Sequence, residues 1–431
     1  MITNHIAKIE VSNGVFAVYN VLVGDIVYVT EDEYNNLKNG KLKEIDSRVM
    51  IDKKIIVNDN YDSYRITKTL DYYNKHVGDV DYVVVMMTNA CNLACEYCIE
   101  NAYLNGENVI FLKENTINHF FEAMSTNQVI KINKQVQFVL YGGEPLLNYN
   151  GIKYFFEKSK EYYPDSSISI VTNGTLIDEE KAMYFKEKGI RLGISVDGPR
   201  EITNSSRKSK DGSMDIYSNV MSNINILKKH NVNWGISLTV TDVLLDNADD
   251  FIRWITEVSP QSISFNVLKL CFEKVDEKMM NYYLRTADFI CNMYDSIVGQ
   301  GIQEELTTMK IKLLASKSPV FADCAAAIVN QITLNADGNL YTCQCRIHED
   351  RMCGSVFCPN DIIISEYSKN LSEYIPYNRK KCLNCFALPI CGGGCPVQAM
   401  EMFDEHIDVS YCEYIKKIMM WLLKKIYSSI K

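Results

Sequence analysis

The sequence predicts an α/β fold: six strand–helix units building a parallel sheet, with a small α+β module before them and a cysteine-rich region after. Three observations carry this. Strand-like and helix-like segments alternate from 81 to about 270. The first of these strands runs straight into Cys91, Cys95 and Cys98. Ten further cysteines crowd residues 324–412, where long periodic segments are scarce.

The elements follow in chain order. Residues 6–11, 15–19 and 26–29 are short alternating runs separated by Asn13-Gly14 and Gly24-Asp25, which reads as hairpins. Thr30 with Glu33 three residues on opens a short helix, and Asn39-Gly40 closes it. Strands are expected at 82–87, 136–140, 167–171, 191–196, 235–240 and 262–267. Helices are expected at 114–124, 153–162, 179–188 and 217–230. An incomplete barrel and an open doubly wound sheet both fit this alternation, and either puts chemistry in the loops after the strand C-termini. Residues 271–320 read as linking helices, with Cys271 and Cys291 as core residues. Residues 413–430 read as an amphipathic helix packed on the body of the protein. The chain thus divides into 1–80, 81–320 and 321–431.

Composition narrows the function classes. A net charge of −9 argues against a nucleic-acid binder, and Arg207-Lys208-Ser209-Lys210 reads as a solvated loop. No apolar run reaches the roughly 18 residues of a membrane span. The N-terminus shows no basic region followed by an apolar stretch, so no secretion signal is expected. The 15 cysteines are then better explained by metal than by disulfides, in a cytoplasmic protein.

Three thiolates at the spacing of Cys91, Cys95 and Cys98 can hold three irons of a four-iron cluster, leaving one iron open, since full ligation takes four. The second strand ends in Tyr141-Gly142-Gly143-Glu144-Pro145. Its glycines permit close backbone approach to a ligand, and Glu144 suits an ammonium group. The bland alternative is a tight turn. Together the two motifs resemble the radical S-adenosylmethionine enzymes. There a CxxxCxxC loop follows strand one, an aromatic residue (here Tyr97) precedes the last cysteine, and Gly-Gly-Glu-Pro follows strand two.

That resemblance implies a partial (β/α)6 barrel. It also implies an open iron that binds S-adenosylmethionine, whose cleavage yields a 5′-deoxyadenosyl radical for hydrogen abstraction. It gives cofactor-binding roles to Tyr97, Gly142, Gly143, Glu144, Asn173, Ser195 and Arg207. The alternatives are an ordinary turn at Asp197-Gly198-Pro199 and a surface charge at Arg207. No catalytic residue is assigned beyond the cluster.

The C-terminal cysteines fall as Cys324, then Cys343 after Gly338, then Cys382-x2-Cys385-x5-Cys391-x3-Cys395, then Cys412. A zinc ribbon is the plain alternative, but seven thiolates are too many for one zinc and too few for two. The series resembles the SPASM extension of the same enzymes, which carries two auxiliary iron–sulfur clusters. By that resemblance Cys382, Cys385, Cys391 and Cys412 hold the second cluster, and Cys324, Cys343 and Cys395 the first. Where some relatives have the first cluster's fourth ligand this chain has Asn330. Cys345, Cys353 and Cys358 are the nearby substitutes, or the iron stays open.

SPASM enzymes mostly modify peptides or proteins. The resemblance implies a maturase of ribosomally made peptides of the sactipeptide or ranthipeptide type, forming a thioether. Its partners would be a precursor peptide whose leader is gripped by the N-terminal module, and a reducing donor such as flavodoxin or ferredoxin. Carbon–carbon crosslinking and sulfatase-type formylglycine formation are the alternatives. The latter expects an aspartate where Gln344 stands. A zinc-stabilised binding protein is the non-enzymatic alternative.

Overall fold

The structure is a computed structural model that describes residues 1–98, 100, 108–269, 274–345, 347, 351–403 and 407–431. It begins with an antiparallel sheet of β1 (Ile6–Ser12), β2 (Val15–Asn20) and β3 (Val27–Thr30), in that order. Alternation along β2 gives its two faces different neighbours. Val18 joins Val29, Tyr34, Leu37, Met50 and Ile55 in a small local core. Ala17 and Tyr19 face the other way, into the main core. The helix Glu31–Lys38 opens with the expected capping box, Thr30 Oγ1 accepting from Glu33 N and the Glu33 carboxylate accepting from Thr30 N at 2.7 Å. Helices Glu44–Asp52 and Tyr61–His76 follow, and neither was anticipated. Each buries only one to three side chains, so neither leaves an apolar stripe in the sequence.

The body is built on a ten-stranded sheet. Its strands are β4 (Asp79–Met86), β5 (Lys131–Tyr141), β6 (Ser167–Thr172), β7 (Arg191–Ser195), β8 (Trp234–Val240), β9 (Ser262–Val267), β10 (Gln303–Glu304), β11 (Gln331–Leu334), β12 (Asn339–Tyr341) and β13 (Met352–Ser355). The spatial order is β10-β9-β8-β7-β6-β5-β4-β11-β12-β13. From β4 to β9 each strand pairs in parallel with the next in sequence. A doubly wound sheet would reverse direction part-way. This one does not, which leaves the barrel-like alternative. All six C-termini therefore open on one side, and the loops after them share a mouth.

Two extensions were not foreseen. β10 adds to the β9 edge, and β11 adds in parallel to β4, carrying the hairpin partners β12 and β13 with it. The cysteine-rich region, expected to be organised by metal alone, is thus partly built into the main sheet. Asn330 fixes this joint: its side-chain amide donates to Asp79 O at 2.7 Å and to Asp81 Oδ2 at 2.9 Å.

The linking helices are Glu277–Gly299 and Leu306–Ser316, and Cys291 is buried in the core as expected. Cys271 lies outside the described residues. The last helix, Val409–Ser429, packs along Glu277–Gly299 through aromatic pairs such as Tyr294 with Trp421, 5.3 Å between centroids. It also receives the N-terminal sheet, whose Tyr28 hydroxyl donates to Leu423 O at 3.0 Å. No helix among the described residues is long and apolar enough to cross a membrane.

Candidate functional site

The loop after β4 is held in place by the loop after β5. Gly143 N donates to Thr88 O at 2.9 Å, and Glu144 N to Ala90 O at 2.8 Å. Gly142 sits at φ +124°, and a Cβ there would lie 2.4 Å from Thr88 O. Only glycine lets the two loops meet this closely. The Glu144 carboxylate is fully buried. It accepts from Thr172 Oγ1 at 2.7 Å, Asn173 N at 2.8 Å and Leu146 N at 3.0 Å. Burial pushes its pKa up, and these three donors pull the other way. Glu144 therefore ties the ends of β5 and β6 together. Asn173 continues the chain of contacts, its amide donating to Asn92 Oδ1 at 2.8 Å inside the cysteine loop.

The far side of that loop pairs with residues 206–210, which corrects their reading as a solvated loop. Ala94 N donates to Lys208 O at 2.8 Å and Glu96 N to Ser206 O at 3.2 Å, and Leu93 bridges Ser209. Arg207 and Ser209 point inward and Lys208 and Lys210 outward, in strand-like alternation.

Asp197, two residues past β7, reads in the sequence only as part of a turn, yet it is the hub of this side. Its fully buried carboxylate accepts from Arg207 Nε at 2.9 Å, Arg207 Nη2 at 3.0 Å, Ser206 Oγ at 2.9 Å and Thr239 N at 3.0 Å. Tyr97 donates its hydroxyl to the same carboxylate, and the Arg207 guanidinium stands 5.5 Å from the Tyr97 ring centroid. Arg207 is thus a buried cation rather than a surface charge, with two of its donors on Asp197. Nothing in the local sequence marks Asp197, because its partners lie up to 42 residues away on the C-terminal side and 100 on the N-terminal side.

These loops enclose a cavity of about 560 Å³. Cys91, Cys95 and Cys98 line it, together with Tyr97, Gly142, Gly143, Asn173, Ser195 and Arg207. Glu144 is not on its surface. Burial pushes the Cys91 and Cys98 thiols up to about 11, with the neighbouring sulfurs adding to the effect. Cys324, Cys343, Cys345 and Cys395 line the cavity as well. Lys269 lines it beside this second group. Burial opposes its charge, but the fields of Cys395, Cys324 and Asp323 outweigh this and raise its pKa. Sequence reading missed Lys269, which follows β9 as any loop lysine would.

The remaining thiols form a further group. Cys382, Cys385, Cys391 and Cys412 lie close enough for their charges to act on one another. Asp323 links this group to the previous one. It precedes Cys324, and its Oδ2 accepts from Gly392 N at 3.0 Å, Gly394 N at 2.9 Å and Tyr411 OH at 2.8 Å. Among the described residues no three His, Cys, Asp or Glu side chains converge on the position of a single ion. Grouped thiols of this number suit iron–sulfur clusters, whose ligands are thiolates.

Comparison with known proteins agrees. Residues 85–255 match the radical SAM superfamily. Residues 85–255 thus form a radical SAM domain. The serine-type anaerobic sulfatase-maturating enzyme of Bacteroides thetaiotaomicron is 27% identical over 350 residues, covering 73% of this chain and 82% of that protein. The radical SAM cyclopropyl synthase TigE of Paramaledivibacter caminithermalis is 24% identical, covering 96% of this chain and 90% of that protein. The solved structure of native anSMEcpe with bound AdoMet and Cp18Cys peptide superposes with a TM-score of 0.67 at 20% identity. That superposition covers 81% of this chain and 99% of the other. The radical SAM fold, with S-adenosylmethionine and iron–sulfur clusters as its cofactors, is what the first two motifs implied. The non-catalytic zinc alternative falls with it.

Proposed function

We propose that this radical SAM enzyme is a maturase of ribosomally made peptides that joins a peptide cysteine to a second residue through a carbon–sulfur bond. The observation that carries the reading is the shared cavity. Cys91, Cys95 and Cys98 line the same space of about 560 Å³ as Cys324, Cys343, Cys345 and Cys395. A substrate there meets a hydrogen-abstracting centre and an electron-accepting one at once. When bound, the first cluster and S-adenosylmethionine supply a 5′-deoxyadenosyl radical that takes a hydrogen atom.

In this reading Cys91, Cys95 and Cys98 hold the first cluster. Tyr97, Gly142, Gly143, Asn173, Ser195 and Arg207 border the nucleotide. Glu144 and Asp197, each buried and bonded to two loops, fix the walls. The thioether balances as follows. One C–H and one S–H bond are replaced by one C–S bond. The hydrogen atom leaves on the nucleoside, a proton leaves from the thiol, and one electron leaves through the auxiliary centres. A flavodoxin or ferredoxin supplies the priming electron. The N-terminal sheet would grip the leader by adding it as a further strand.

Sulfatase-type maturation is the second reading, favoured by likeness to the Bacteroides enzyme. Against it, Gln344 lines the cavity where that chemistry uses a carboxylate base. The test is to incubate reconstituted enzyme, reductant and S-adenosylmethionine with precursor peptides encoded beside it, and separately with a sulfatase-derived peptide. Thioether formation lowers the mass of a precursor by two hydrogens and removes a free thiol. Unchanged precursors alongside active cofactor cleavage defeat the reading, and formylglycine in the sulfatase peptide replaces it.

A further inference from the structure

The first auxiliary group lacks an obvious fourth ligand, and the candidates separate cleanly in space. Asn330 has the ligand's place in sequence, but its amide is spent on Asp79 and Asp81 at the joint of β4 and β11. Cys353 is 1% exposed and packs in the main core, its sulfur within 3.6 Å of Ser368 Oγ and 3.8 Å of Ser365 Oγ. Cys358 is exposed to solvent. Cys345 alone of the three packs with Cys324, Cys343 and Cys395, in a small cluster closed by Ala326, Leu371 and Val397. Its thiol hydrogen-bonds that of Cys343, and Cys395 acts on it electrostatically. All four sulfur-bearing residues line the cavity.

We infer that Cys345 is the fourth protein ligand of the first auxiliary iron–sulfur cluster. Four thiolates complete the ligation of a four-iron cluster. The centre then has no iron position left for a substrate thiol, and its part is to pass electrons. Local geometry permits this pairing of ligands. Cys343 lies two residues past β12, and Gln344 and Cys345 form a turn; positions two apart point to the same side even of extended chain, so both sulfurs can face one cluster. The loss of a ligand at 330 is offset by a gain at 345.

The test uses full-length protein in which Cys91, Cys95 and Cys98 are all replaced by Ala, so that only auxiliary iron remains. A cluster with four thiolates resists brief mild oxidation. One with an open iron loses it and gives the paramagnetic signal of a three-iron cluster. The parent triple variant should give little such signal. Adding Cys345→Ala should make it appear and lower iron by a single atom per chain. Cys345→Ser, which keeps an oxygen donor, should shift the spectrum of the reduced cluster and retain more iron than the alanine variant. Cys358→Ser and Cys271→Ala should behave as the parent. A strong three-iron signal from the parent overturns the assignment without requiring any further variant to fold. So does a Cys345→Ala protein with unchanged iron and spectrum, or the appearance of the signal on Cys271→Ala instead.

Discussion

Asp197 grips Arg207 through both Nε and Nη2, at 2.9 and 3.0 Å, where neither side chain is more than 8% exposed. The pair closes one wall of the cavity from behind. It joins the end of β7 to the segment that borders the cysteine loop, and through Thr239 N to the end of β8.

Breaking a buried ion pair from one side costs more than replacing it whole, because the surviving charge is left uncompensated. Asp197→Leu alone should therefore destabilise the protein by about 3–5 kcal/mol and loosen S-adenosylmethionine binding. The double variant Asp197→Leu/Arg207→Met should recover much of the stability but not the binding. Denaturant unfolding and cofactor titration on the reconstituted protein check both. Equal, small losses in single and double variants would show that the pair does not act as a unit.

Gly142→Ala tests the close approach of the two loops. The backbone at φ +124° and a Cβ 2.4 Å from Thr88 O leave no rotamer that avoids the clash. The backbone strain alone is worth about 1–3 kcal/mol. Movement of the cysteine loop should add a loss of cluster occupancy. Gly14→Ala is the control, since its φ is also positive at +71° but no atom lies within 4 Å of its would-be Cβ. It should lower stability only and leave iron content intact. Similar iron loss in both variants would refute the packing account.

The contrast between these sites shows what a sequence makes legible. The six strands β4 to β9 stand out because apolar runs alternate with amphipathic helices, and the capping box at Thr30 is a purely local signal. Cys91, Cys95, Cys98 and the Gly-Gly-Glu run are legible because their spacing is itself the chemistry. Asp197 and Lys269 are not, since each takes its meaning from residues far away in the chain. β11, β12 and β13 are three or four residues long, and only the pairing of β11 with β4 defines where they lie. The inward face of Arg207 and Ser209 was written as alternation across four residues, too short a run to outweigh three positive charges.

Iron removal should act unevenly. The parallel strands are packed from an extensive apolar core, including Val83, Val85, Phe138, Leu140, Ile170 and Leu192, all fully buried. The segment around Cys382–Cys395 has short helical turns and four partly buried thiols instead. Metal binding there supplies folding free energy. After anaerobic chelation, amide hydrogen exchange should rise sharply over 379–395 and stay slow in β4 to β7. Uniform acceleration across both regions would mean that the sheet, too, depends on the clusters.

The N-terminal module reaches the same cysteine-rich segment. Tyr19, fully buried in β2, donates its hydroxyl to Phe386 O at 2.5 Å, and His5 Nδ1 lies 2.8 Å from Leu383 O. Both carbonyls belong to the stretch between Cys382 and Cys391. Removing the tyrosine hydroxyl leaves a part-buried carbonyl without that donor, at a cost of about 1–3 kcal/mol. Because the carbonyl lies one residue past Cys385, the cost should fall on the second auxiliary group before any other. Tyr19→Phe is thus expected to lower iron occupancy there while the first loop still cleaves S-adenosylmethionine. Iron counting and cofactor cleavage, measured on the same preparation, decide it. Full occupancy with unchanged unfolding would mean that the sheet merely rests against the cysteine segment, whereas loss of both activities together would mean that the module supports the whole cavity.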